Sequence, residues 1–373
     1  MNVTGRNVPF FNYPWVYKEH EEEILTAMKD VMSRGAFILQ KDMEEFEEAV
    51  KKFITAKHVL GVADGTNALI IGLKAMGIGK DDEVIIPSHT YIASAASIHL
   101  VGATPVLVEC GVDHMIDVTD IERAVTEKTK AIMPVQLNGR TADMDSIRSI
   151  ANKHGLMIIE DSAQALGSKY KGQNAGTFGL VGTFSLYPAK LLGCFGDGGL
   201  VVTNDDAIAE QLSLWRDHGR NDAGEVVAWG TNCRLDNLQA AVLNVKFKYY
   251  EKDLERRREI AQIYNDALSP ISDLILPAPP MEDSEHFDVY QNYEIESGQR
   301  NELKQFLSDN GVGTLIQFGA KAVHQHKELG FKNISLPFTE KVYERALMLP
   351  MNTSLSNDDV EYVCDQIKQF YGA

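Results

Sequence analysis

From about residue 58 the chain alternates short apolar, β-branched runs with longer amphipathic stretches, and this rhythm limits the folds open to it. HVLGVADG reads as a strand and turn, followed by the helix TNALIIGLKAM; DEVIIPS is a strand and YIASAASIHLVG a helix. TPVLVE, KAIMPVQL and LMIIED are further buried strands, with helical DMDSIRSIANKHG between the last two, and GTFSLYP and GLVVTN follow closely. Near-continuous apolar strands that alternate with helices imply a mostly parallel sheet covered on both faces, a three-layer α/β/α domain. In such folds ligands bind outside the carboxyl ends of the strands.

At 373 residues the chain exceeds one ordinary compact core, so two domains are expected. LDNLQAAVLNVKFKYYEKDLERRREIAQIYNDAL reads as some thirty residues of helix that carry the chain out of the large domain. The Pro-rich ILPAPPMEDSEHFD is a spacer, and QNYEIES, RNELKQFLSDNG and a final helix form a small α/β domain. The expected division is 1–250, a large ligand-binding domain with an N-terminal arm, and 251–373, a small C-terminal domain. A net charge of −17 argues against nucleic acid or an anionic membrane as partner, yet leaves room for a local basic pocket. MNVTGRNVPFFNYPW lacks the basic-then-apolar order of a signal peptide, and no apolar run reaches the roughly 20 residues that span a bilayer. Cys110, Cys194, Cys233 and Cys364 show no C-x-x-C spacing, which suits reduced thiols in a cytoplasm better than zinc or disulfides.

The segment TFSLYPAKLLGCFGDGG holds one lysine, Lys190, with no acidic neighbour before Asp197. Such a lysine snorkels to water, pairs with a carboxylate distant in sequence, or loses its proton and serves as a nucleophilic amine. LMIIED ends in Asp161, with Gln164 three residues on. A P-loop partner is excluded by the absence of G-x-x-x-x-G-K-[ST], and a metal role by the lack of further ligands, since Glu160 points to the opposite face. No metal is expected. Asp161 remains either the counter-ion of a buried cation or a helix N-cap. VADGTNAL places Gly65 and Thr66 at a strand-to-helix turn, where backbone amides and a hydroxyl cradle phosphate; Ser185 offers another hydroxyl, and Tyr91 in PSHTYIAS an aromatic lid. One ligand uses all of these: pyridoxal phosphate, with its flat ring, phosphate, ring nitrogen and aldehyde. A desolvated Lys190 meets the aldehyde as an imine, which explains its lack of acidic company.

Over residues 20 to about 350 the chain resembles the DegT family of sugar-nucleotide aminotransferases, fold-type I pyridoxal-phosphate enzymes. The matching segments are ADGTNAL, PSHTYIASA, GATPVLVE, IIEDSAQALGSKYKG, GTFSLYPAKLLGCFGDGG and GTNCRLDNLQAA, in that order. The resemblance implies that Lys190 is the imine lysine and acid–base, that Asp161 meets the ring nitrogen and Gln164 the ring hydroxyl side, and that Tyr91 stacks on the ring. It implies a phosphate site of Gly65, Thr66 and Ser185, completed by Asn232 from the other subunit of a homodimer, and offers His324 and Arg234 as substrate contacts. It further implies L-glutamate as amino donor and a nucleotide-linked keto-sugar as acceptor, for aminosugars of surface polysaccharide or related glycans. Two segments depart from the family pattern: QLNGRTADMD, with Asn138 and Arg140, and FGAKAVHQH; both fall where the family contacts the sugar. Family dehydratases carry histidine in place of the lysine, so Lys190 favours transamination. A regulator that binds the cofactor without turnover predicts loss of that lysine, and a nicotinamide dehydrogenase requires G-x-G-x-x-G after the first strand, which VADGTNALIIG lacks.

Overall fold

A computed structural model describes residues 5–280 and 285–372. Residues 1–4 of the N-terminal stretch and 281–284 of the Pro-rich spacer lie outside the described residues. Seven strands form the central sheet: β1 (His58–Val62), β2 (Glu83–Pro87), β3 (Thr104–Val108), β4 (Thr129–Ile132), β5 (Met157–Asp161), β6 (Val181–Ser185) and β7 (Gly199–Thr203). Their order is β1-β7-β6-β5-β4-β2-β3. β7 runs antiparallel to β1 and to β6, while β6, β5, β4, β2 and β3 are parallel. Because β1 and β6 both oppose β7, they share a direction, and the carboxyl ends of six strands meet one edge.

The pleat sorts the apolar strands into two layers. On β5, Ile159 packs with Val62, Ile71, Val181 and Val201 beneath the helix Gly65–Ala75, whereas Ile158 faces Ile85, Ile132 and Ile147 on the other side. On β7, Val201 belongs to the first layer while Leu200 and Val202 pack with Phe46 and Phe184. Burial of each Ile or Leu contributes about 1.5–3 kcal/mol. Both faces are covered, as the near-continuous apolar strands require, and the expected three-layer domain with a mostly parallel sheet is the one found, β7 being its antiparallel strand.

A second core lies under a three-stranded antiparallel sheet of β8 (Leu274–Ile275), β9 (Tyr293–Ser297) and β10 (Ala346–Leu349). Tyr264, Ile295, Leu303, Leu347 and Val363 fill it, and Val8 joins them by pairing with Val312. The expected thirty-residue helix is two, Asn237–Phe247 and Tyr250–Leu268. The break is held by Tyr249, whose ring stacks on His20 at 3.9 Å and whose hydroxyl donates to Glu23, so the chain turns where it meets the N-terminal helices. The first turns of the second helix, Tyr250 and Leu254, pack with the large core and its later turns, from Ile260 to Leu268, with the small one. β10, in ALML, is a strand where the sequence suggests only a loop and a final helix.

Candidate active site

The edge where the strands end opens into a cleft of about 740 Å³. β1 leads through Asp64 into the helix Gly65–Ala75, and Asp64 caps that helix by accepting from Asn67 N at 2.8 Å. The first amides of the helix, at Gly65 and Thr66, are then left facing the cleft, as at any helix start. Ser185, the last residue of β6, lies so near that a Cβ on Gly65 would stand 2.9 Å from the Ser185 Cβ. Only glycine allows this approach, and the result is a concave set of donors suited to an anion.

Asp161 ends β5 next to β6. It is 5% exposed and accepts from Ser94 Oγ at 2.7 Å and Ala163 N at 3.2 Å. Burial pushes its carboxyl above the usual range, against the hydrogen bonds of Ser94 and Ala163 and the charge of Lys190. Glu160 points the other way, as the pleat demands, and anchors the turn at Gly176–Gly179 by accepting from Gly176 N, Phe178 N and Gly179 N.

Lys190 lies on the loop between β6 and β7, closed by Lys190 N to Tyr187 O and Cys194 N to Leu186 O, each at 2.8 Å. Gln291 clamps the loop from outside: it accepts from Leu191 N and donates to Ala189 O, both at 2.8 Å. Among the described residues no acceptor meets Lys190 Nζ. Desolvation by the cleft walls brings its pKa down to about 8, with Asp161 opposing. Lys246 is also lowered to about 8 by burial, but its ammonium donates to Gly193 O and covers the Phe195 ring. Lowered basicity alone therefore does not mark a reactive amine; the absence of a bonding partner separates Lys190.

Tyr91, 57% exposed, closes one side of the cleft with its ring 5.7 Å from that of Phe318. Gln164 accepts from Asn138 N at 2.8 Å and from Asn292 Nδ2 at 3.4 Å, which leaves its NH₂ as the end free for the cleft. Gly65, Thr66, Tyr91, Asp161, Gln164, Ser185 and Lys190 thus line one cavity. Asn232, Arg234 and His324 do not line it. Asn232 is exposed on the loop that returns to Asp217, and Arg234 Nη1 pairs with Asp217 Oδ1 at 2.8 Å. Both ring nitrogens of His324 are engaged, Nδ1 with Ser88 Oγ at 2.7 Å and Nε2 with Glu340 Oε1 at 3.0 Å. Asn138 and Arg140, expected near a sugar, are tied up within the chain. Arg140 pairs with Asp288 at 2.6 Å, and Asn138 bonds Glu294, Asn292 and Gln317 through its side chain. Ser94 and Gln291 were missed. Ser94 had a signal, since it is one helical turn from Tyr91, while nothing near Gln291 announces its contact with a loop 100 residues earlier.

The fold and this cleft define a transaminase of the α/β class. The chain belongs to the DegT/DnrJ/EryC1/StrS aminotransferase family, whose description matches residues 18–368 and whose aminotransferases are pyridoxal-phosphate enzymes. It is 39% identical over 369 residues to a "Pleiotropic regulatory protein" of Geobacillus stearothermophilus, covering 98% of this chain and 99% of the relative. It is 36% identical over 369 residues to the dTDP-3-amino-3,4,6-trideoxy-alpha-D-glucose transaminase of Streptomyces venezuelae, covering 97% and 96%. The crystal structure of S. venezuelae DesV in complex with a ketimine intermediate superposes with a TM-score of 0.94 at 36% identity, covering 98% of this chain and 99% of that one.

Proposed function

We propose that this chain holds pyridoxal phosphate in the cleft and transfers the amino group of L-glutamate to the keto group of a nucleotide-linked sugar. The observation that carries the reading is the partnerless Lys190 amine in one cavity with buried Asp161 and the Gly65–Ser185 cradle. The residues fit the group. Gly65, Thr66 and Ser185 hold the phosphate, Tyr91 covers the ring, Asp161 keeps the ring nitrogen protonated, and Gln164 donates to the ring hydroxyl. Bound there, the cofactor supplies a carbonyl that captures the amino group and a ring that withdraws electrons from the neighbouring carbon. Lys190 Nζ, once displaced by glutamate, takes the proton from the amino-acid α-carbon and returns it on the same face; the sugar half runs these steps in reverse.

The sugar acceptor rests on the family and on relatives such as the dTDP-sugar transaminase, and the product suits surface polysaccharide or related glycans. We place the reaction in the cytoplasm, in keeping with four buried, unpaired cysteines. Among the described residues no helix is long and apolar enough to cross a membrane. A homodimer with shared sites is supported by the loop that carries Asn232: Trp229 there is 91% exposed and Val226 70%, apolar surface that suits a partner subunit. The regulatory name of the Geobacillus relative raises a binding-only reading, but mere binding does not require a desolvated amine beside a buried carboxylate.

The test is a half-reaction. Holoenzyme mixed with L-glutamate should lose its visible absorbance and release one 2-oxoglutarate per site, and dTDP- or UDP-linked keto-sugars should then restore the absorbance. No 2-oxoglutarate overturns the transaminase reading, and release without acceptance of any keto-sugar nucleotide overturns the sugar. For shared sites, Lys190→Ala and Asn232→Ala protomers are mixed under subunit exchange. Activity above either parent is expected, and confirmed heterodimers without recovery overturn Asn232 as a partner's residue.

A further inference from the structure

Three buried side chains outside the cofactor cleft converge on one point. His89 follows β2, His114 lies in the turn after β3, and Glu294 is on β9 of the small sheet. Their ligand atoms all lie within 4.8 Å of one another. His114 Nδ1 is 2.9 Å from Glu294 Oε1, and His89 Nε2 is 3.8 Å from the same oxygen. Neither ring nitrogen of His89, which is 1% exposed, has a hydrogen-bond partner, and neither does Glu294 Oε2. The Glu294, Glu296 and His114 side chains act on His89 through charge, and the His114 backbone lies close by without making a well-formed hydrogen bond to either ring nitrogen. Buried polar atoms are nearly always bonded, so an unbonded His89 ring beside an unbonded Glu294 oxygen points to something that binds there.

The surroundings are those of a metal ligand set. The second nitrogen of His114 faces Glu296 Oε1 at 3.1 Å, and Glu296 is itself held by Arg345 Nε at 3.2 Å. A carboxylate on the far nitrogen is what fixes the ring of a metal-bound histidine. A neighbouring cavity of about 330 Å³, lined by His114, Asn138, Asn292 and Glu294, gives an ion a way in and leaves space for a further ligand. Two imidazoles and one carboxylate suit zinc and its neighbours among the transition metals, whereas magnesium and calcium favour all-oxygen sites.

We propose that His89, His114 and Glu294 bind one divalent cation of the zinc class, which joins the small domain to the large one behind the cofactor cleft. The ion replaces the proton that His114 Nδ1 shares with Glu294, and that proton leaves to solvent. Asn138 connects this site to the cleft, because its Nδ2 donates to Glu294 Oε1 at 3.1 Å and its backbone N to Gln164. No sequence spacing announces the set, since its members come from three distant segments. A single ordered water bonded to His89 and Glu294 is the rival occupant.

The experiment uses tag-free, cofactor-loaded protein stripped with chelator and titrated with zinc by calorimetry and with cobalt by visible absorbance. One ion per chain is expected, with cobalt d–d bands and an unchanged cofactor spectrum. Glu296→Gln should weaken binding ~10–100-fold, and His89→Gln by more than that, at least about 100-fold. His89→Cys, which restores a ligand, should keep stoichiometric uptake and add a thiolate-to-cobalt band. No stoichiometric uptake by the wild type, as the water would give, overturns the proposal. So does full affinity in a folded His89→Gln, or an ion that shifts the cofactor spectrum and survives that substitution. Should His89→Gln fail to fold, the wild-type stoichiometry and the His89→Cys band still decide.

Discussion

At the floor of the cleft, Asp161, Ser185 and Lys190 come from one stretch, 161–190, and hang from the ends of neighbouring strands or the loop that joins them. At the far wall, Asn138, Gln164, Asn292 and Gln317 come from separate stretches and meet through hydrogen bonds, with Asn138 as their common partner. Backbone register places the floor residues, so the loss of one side chain leaves its neighbours where they were. The wall is placed by its own side chains, and the loss of one unmakes several contacts together. The floor should therefore fail in chemistry and the wall in geometry.

Lys190→Ala gives the largest effect. Its loop remains clamped by Gln291 through backbone atoms, so the variant should fold and still bind cofactor at the cradle, yet lose several orders of magnitude in turnover. Circular dichroism, cofactor retention on desalting and a glutamate half-reaction check this. Measurable near-normal turnover would remove Lys190 from the mechanism.

Asp161→Asn comes next. It keeps the shape and loses the charge that holds the ring nitrogen protonated, and turnover should fall about 10²–10³-fold with modest loss of cofactor. Asp161 also raises the Lys190 pKa, so without it that pKa should drop below about 8. The amine captures cofactor only when neutral, above its pKa. The capture rate of the apoprotein should thus climb with pH through a midpoint near 8 in the wild type and through a lower midpoint in Asp161→Asn. An unmoved midpoint would show that the two groups do not sense each other.

The wall predicts a smaller but cooperative effect. Asn138 has φ +55°, a left-handed conformation that asparagine tolerates and alanine resists, so Asn138→Gly is the cleaner probe. It should lower the melting temperature and cost roughly tenfold in kcat/KM as Asn292, Gln317 and Glu294 lose their shared side-chain partner, while the backbone bond to Gln164 remains. Combined with Gln317→Ala, the losses should be clearly less than additive, whereas Ser185→Ala with Gln317→Ala should add. Additivity in both pairs would erase the distinction between floor and wall.

The same distinction explains what could be read from the sequence. Asp161 and Ser185 sit at the ends of apolar runs and Gly65 at a strand-to-helix turn, so strand topology alone carries these three to one edge. The wall left no such mark: Asn138 Nδ2 reaches Glu294 across 156 residues, and the polar run QLNGRT looks like any loop. The family resemblance sets that run where the sugar is contacted, and here the Arg140 and Asn138 side chains bond Asp288 and Glu294. A histidine in a loop likewise gives no hint of its partners, and both ring nitrogens of His324 are bonded here, to Ser88 and Glu340. The interruption at Tyr249 was equally hidden, because its residues keep right-handed helical angles and only contacts with His20 and Glu23 turn the chain.

The smallest effect tests the floor at its most delicate contact. Ser94 Oγ donates to Asp161 Oδ2 and so favours the ionised carboxylate, against burial, which favours the neutral acid. Ser94→Ala removes the favouring donor and should raise the Asp161 pKa further. Cofactor binding to the apoprotein is tighter with the ionised form, so affinity falls modestly as pH drops through that pKa. The fall should therefore move to higher pH, with affinity well above it nearly unchanged. Spectroscopic cofactor titrations at stepped pH measure the shift. β5 fixes where Asp161 stands, so the ring should still seat in the variant. If Ser94→Ala instead abolishes binding at every pH, Ser94 holds the carboxylate in place, and the floor depends on side-chain bonds as much as the wall does.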